Sequence, residues 1–128
     1  MEPVLHEDVY VYSSVPPETD LGSIPLIAMF RESEGLTLIL LEADAIKAKL
    51  PILFRTAWLT LTVHSDLQAV GLTAAFASAL GNAGISCNVV AGAYHDHIFV
   101  PLDCAEDAMS VLHCLQLNSA RESEPLKS

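Results

Sequence analysis

The sequence predicts an α+β protein of ferredoxin-like type, with two tandem halves in which helices pack on antiparallel sheet. Short runs alternate apolar and polar residues, as half-buried strands require, and alanine- and leucine-rich runs with helical spacing lie between or after them. The order of these elements then repeats after roughly fifty residues, which points to a degenerate internal duplication of a β-α-β-β-α unit.

In the first half, Val9 to Ser14 alternates Val-Tyr-Val-Tyr and reads as a strand. Pro16, Pro17, Gly22 and Pro25 then rule out a helix and leave a loop where a β-α-β-β-α unit has its first helix. Leu26 to Glu32 and Leu36 to Leu41 form a hairpin across Ser33-Glu34-Gly35, whose glycine can take positive φ. Alanine, lysine and acidic residues from Glu42 to Leu50 predict a short helix that ends before Pro51.

The second half opens with a strand over Ala57 to Val63, in which Ala57, Leu59, Leu61 and Val63 make one apolar face. Ser65-Asp66-Leu67-Gln68 has the form of a capping box, Leu72, Phe76, Leu80 and Ala83 recur at helical spacing, and Gly84 sits where a left-handed C-terminal cap belongs. Ile85 to Tyr94 and His97 to Val100 predict a second hairpin, stopped by Pro101. Asp103 with Glu106 would cap a closing helix whose buried stripe is Ala108, Val111, Leu112 and Leu115. The domain boundaries expected are 1–54 for a degenerate first half, 55–117 for a complete second half, and 118–128 for a flexible polar tail.

Composition narrows the function classes. The 128 residues are 52% apolar and 17% charged, which suits a folded domain with a sizeable core. Acidic residues number 16 against 6 basic ones, a net charge of −10, and the basic residues are scattered. Nucleic acid and anionic membranes are therefore not expected partners, because phosphate binding needs gathered positive charge. No apolar run is long enough to span a bilayer, and the N-terminus has Glu2, His6, Glu7 and Asp8 in place of a secretory signal. Cys87, Cys104 and Cys114 are odd in number and lack metal-knuckle spacing, so a reduced cytoplasmic compartment is expected. Phosphate-loop, dinucleotide and serine-hydrolase signatures are absent, and no cofactor is expected.

Ala69-Val70-Gly71-Leu72-Thr73-Ala74, Asn82-Ala83-Gly84-Ile85 and Tyr94-His95-Asp96-His97-Ile98-Phe99-Val100-Pro101 give the run from Trp58 to Pro101 a resemblance to the ACT domain. The chain is similar to the short bacterial class in which two ACT-like halves form one protein. The resemblance implies a non-catalytic regulatory module that binds a small effector, often a free amino acid, and pairs with another copy, most simply as a dimer. It also implies a site near the loop between first strand and first helix, facing a strand of the neighbouring half or subunit. The matching positions are His64, Ser65, Asp66, Leu67, Gln68, Val70, Gly71 and Leu72, with Cys87, Asn88 and Val89 across from them.

The chemistry of these residues suits that role. A helix N-terminus offers free N–H groups to an α-carboxylate, Asp66 could meet an α-ammonium, and Gly71 would let a ligand approach the backbone. The same residues also fit a plain capping and packing role. Asn88 in an apolar strand requires a hydrogen-bond partner, either a ligand or a loop. His95 and His97 could share a strand face and hold zinc with a third ligand, or belong to a polar turn, or touch a ligand or subunit. Cys87 reads as a buried structural thiol, since a nucleophile needs an adjacent base in an electropositive setting. Tyr10, Tyr12 and Trp58 read as core or interface residues. A ligand-free interaction module is the alternative function, and a small metal enzyme built on His95 and His97 is a third.

Overall fold

The computed structural model describes residues 2–62 and 72–123, excepting the side chains of residues 72 and 117–123. In chain order the elements are β1 (Pro3–Leu5), β2 (Tyr10–Val15), β3 (Ala28–Arg31), β4 (Leu36–Leu41), α1 (Glu42–Lys47), β5 (Phe54–Leu61), α2 (Leu72–Asn82), β6 (Asn88–Ala91), β7 (Asp96–Pro101), a 3₁₀ turn (Leu102–Cys104) and α3 (Ala105–Ser123). They form two compact units of ferredoxin-like type. One is Glu7–Ala57, and the other is Trp58–Ser128 together with Met1–His6. The division falls inside β5, whose first half pairs with β2 and whose second half pairs with β1.

In the N-terminal unit β4 is central, with β2 antiparallel on one side from Tyr10↔Leu41 to Val15↔Leu36 and β3 antiparallel on the other from Ala28↔Ile39 to Arg31↔Leu36. Val11, Val15, Leu36, Leu38, Leu40 and Ala45 are buried together, and Leu21, Ile24, Leu26 and Leu50 close around them. The loop expected between Val15 and Pro25 is present, held by turns such as Ile24 N–H to the Leu21 carbonyl at 3.0 Å. Gly22 there has φ +53°. Gly35 is needed for a different reason from the expected one. A β carbon on it would lie 2.5 Å from the Val15 carbonyl oxygen, so the close approach of two backbones, and not a positive φ, excludes a side chain.

Helix α1 stops at Lys47, earlier than Pro51 requires. The Leu50 N–H reaches the Ala45 carbonyl at 2.9 Å and the Lys49 N–H reaches that of Ile46 at 3.0 Å, a Schellman closure with Lys49 at φ 57°. Helix α2 ends in the same way, Ile85 N–H to Leu80 at 2.9 Å and Gly84 N–H to Gly81 at 3.0 Å, with Gly84 at φ +78° as the sequence implied.

The C-terminal unit has β5 flanked by β1 and β7, with β6 outside β7. Leu59, Leu61, Ile98 and Val100 share its buried core with Phe76, Leu80, Ala108 and Leu112 of the helices, while Ala83, expected in the α2 stripe, is exposed. Several elements differ from expectation. Strand β1 is missed because three residues carry no readable period. Strand β5 begins at Phe54, and β6 covers only Asn88–Ala91 of the run from Ile85 to Tyr94. Asp103 lies inside the 3₁₀ turn, where its carboxylate accepts from the Cys104 thiol at 3.8 Å, so it does not cap α3. Helix α3 continues to Ser123, past the Asn118 at which the tail is expected to begin.

Candidate functional site

Of the residues assigned to an effector site, His64, Ser65, Asp66, Leu67, Gln68, Val70 and Gly71 lie outside the described residues, as does the side chain of Leu72. The facing residues are described. Asn88 opens β6 opposite Phe99 of β7, with Val89 opposite Ile98. Strand β6 is an edge of its unit, and Asn88 is exposed there, so its amide is accessible to solvent or to a ligand. Cys87 is half-buried, and burial pushes its thiol pKa up, which favours the protonated form.

The strand that leads toward residue 64 carries the best-defined polar cluster of this unit. Trp58 and Thr60 of β5 lie two residues apart on one face, opposite to Leu59 and Leu61, and His97 of β7 meets both. The Trp58 indole N–H donates to His97 Nδ1 at 3.1 Å, and the Thr60 hydroxyl lies 3.1 Å from the same nitrogen. His6 Nε2 lies 2.8 Å from the Thr60 oxygen, and its ring stacks on Trp58 at a centroid distance of 3.6 Å. Phe99 adds a second ring, 6.0 Å from Trp58.

Donor chemistry orders this chain. An indole nitrogen can only donate, so His97 Nδ1 is an acceptor and its proton is on Nε2. The single lone pair of His97 Nδ1 is taken by the indole N–H, and the Thr60 hydroxyl bridges the two histidines with a direction set by the tautomer of His6. Burial lowers the pKa of both imidazoles, their mutual proximity lowers that of His6 further, and His95 lowers that of His97 against the opposing pull of Asp96. The site therefore favours neutral histidines, which suits a hydrogen-bonded cluster that holds this sheet face in one shape.

Of the histidine pair singled out in the sequence, His97 joins this cluster through its Nδ1, and His95 acts on His97 electrostatically. His95 lies in the turn before β7, where its carbonyl accepts the Gly92 N–H at 2.9 Å, and a β carbon on Gly92 would lie 3.3 Å from the His97 Nε2. Among the described residues no three His, Cys, Asp or Glu side chains gather as a metal site. His6 and Thr60 were not singled out. Their partners lie 54 and 37 residues away in sequence, and no local pattern marks them.

The ACT domain family matches twice, end to end, over residues 1–57 and 54–114. The chain belongs to the ACT-domain family, whose members are regulatory amino-acid-binding modules. Among solved structures, a Vibrio cholerae protein of unknown function, described as a possible transport protein, is 46% identical over 89% of this chain and 88% of that one, with a TM-score of 0.80. An Agrobacterium tumefaciens protein shares the fold at 15% identity, covering 89% and 87%, with a TM-score of 0.70. The regulatory subunit of aspartate kinase from Thermus flavus shares it at 9% identity, covering 90% and 97%, with a TM-score of 0.65. A search of curated proteins gives no match. No helix among the described residues is long and apolar enough to cross a membrane.

Proposed function

We propose that this chain is a non-catalytic, cytoplasmic regulatory module that binds a free amino acid at an ACT-type interface. The ligand is held by His64 to Gln68 and Val70 to Leu72, with Cys87, Asn88 and Val89 opposite. The observation that carries the reading is the pair of ACT-domain matches covering residues 1–114. The fold shared with a regulatory subunit of aspartate kinase supports a role exerted on a partner protein and not through chemistry of its own. The chain acts as a homo-oligomer, most simply a dimer. An effector held from both sides of an interface favours the closed pairing by its differential affinity for that state, and this is sufficient for a switch.

A thermal-shift screen of the proteinogenic amino acids tests the proposal. A true effector stabilises with the logarithm of its concentration, by about 2.7 kcal/mol at a hundredfold its Kd. Asp66→Ala weakens that ligand about tenfold or more without unfolding the chain, because a hydrogen bond to a charged group contributes about 1.5–3 kcal/mol. No shift at millimolar concentrations would favour a ligand-free interaction module, and unchanged affinity in Asp66→Ala would remove Asp66 from the site.

A further inference from the structure

In the N-terminal unit the connection from residue 16 to residue 27 has no helix, where the C-terminal unit has α2 between β5 and β6. A loop covers less of a sheet face than a helix does. A cavity of about 360 Å³ is left between this connection and α1, lined by Ser23, Ile24, Pro25, Asp44, Lys47 and Ala48. That volume is at the small end of the range for small-molecule pockets, about 300–1,000 Å³, and suits a ligand the size of one amino acid.

The lining divides by chemistry. Ile24, Pro25 and Ala48 are apolar, whereas Asp44 and Lys47 carry opposite charges at i and i+3 on α1, the spacing that brings two side chains to one helix face. Neighbours so placed commonly pair, yet these two do not meet within ion-pair distance; the α1 carboxylate that does pair is Glu42, with Arg55. Asp44 and Lys47 are left to face a dipolar ligand. A separate unsatisfied polar group lies in β2, outside the cavity lining. Ser13 is fully buried on the strand face it shares with Val11 and Val15, within the core that Ile24 and Ala45 help to close, and its hydroxyl has no hydrogen-bond partner. A buried hydroxyl left unpaired costs about 1–3 kcal/mol.

We infer that this cavity is a second small-molecule site, separate from the one proposed at residues 64–72, and that it takes a zwitterionic amino acid with a small apolar side chain. Asp44 receives the α-ammonium, Lys47 the α-carboxylate, and Ile24 with Pro25 the side chain. Neither α1 backbone N–H groups nor the other unit is needed.

L-Valine is the first probe, titrated into the ¹⁵N-labelled full chain, with isobutyrate and isobutylamine as ligands that each lack one charge. The expected result is saturable movement of the amides of residues 23–24 and 44–48 with valine, and binding at least about tenfold weaker for either single-charge analogue. Lys47→Met and Asp44→Asn each lower valine affinity by a similar factor, and since both side chains lie at the surface of α1 the fold is kept. Asp66→Ala leaves this binding unchanged, which separates it from the site proposed above. Absence of movement in residues 23–48 at millimolar valine overturns the inference, as does equal affinity in Lys47→Met and Asp44→Asn.

Discussion

Trp58, the single tryptophan of the chain, reports on His97 because its indole N–H is spent on the His97 Nδ1. Protonating that nitrogen would set two N–H donors against each other. Burial holds the pKa of His6 and His97 below the ordinary value near 6.5, so between that value and their folded values the unfolded chain binds more protons. Stability from these residues is complete above about pH 6.5 and is lost as the pH falls through the folded pKa values. Tryptophan emission is therefore expected to change with a midpoint below 6.5, and the double variant His6→Phe with His97→Phe should remove the change. A midpoint at or above 6.5 would contradict the arrangement. The histidines at 95 and 97 were legible as a polar feature, but their separation into a turn residue and a network residue was not. Nothing in the local sequence says that β1 returns to lie beside β5 and brings His6 to Thr60.

At the level of elements, the two Schellman closures show how differently one backbone device can be written. Gly84 announces its helix end in the sequence, since a left-handed residue costs glycine nothing. Lys49 occupies the equivalent position after α1, and a residue with a β carbon there is disfavoured by about 1–2 kcal/mol. Lys49→Gly is accordingly expected to stabilise the chain by about 0.5–1 kcal/mol, part of the gain being offset by the greater freedom of glycine in the unfolded state. Chemical denaturation would show this as a higher midpoint with unchanged slope, and a lower midpoint would mean that the lysine side chain contributes more than its backbone costs. Gly35 teaches the converse. The turn was legible from Ser33-Glu34-Gly35, but the reason for the glycine lies 20 residues earlier, in the Val15 carbonyl.

For the molecule as a whole, a net charge of −10 on 128 residues makes self-repulsion a global term. Raising the ionic strength from about 0.01 M to about 0.15 M shortens the screening length from about 30 Å to about 8 Å. The melting temperature is expected to rise by a few degrees over that range. A fall would mean that attractive pairs such as Arg55 with Glu42, which salt also screens, outweigh the repulsion.

The sequence by itself determined the α+β class, the repeated order of elements, the ACT resemblance and most strand and helix positions. These depend on period, capping and turn residues that act within a few positions of one another. Tertiary structure alone decided that residues 1–6 join the C-terminal unit, that β5 serves both units, that His6, Thr60, Trp58 and His97 form one chain of hydrogen bonds, and that a cavity opens beside α1. Each is a contact between segments far apart in sequence. Such pairings are selected by the packing of the complete core and not by local propensity, and they leave no periodic trace in the residues that make them.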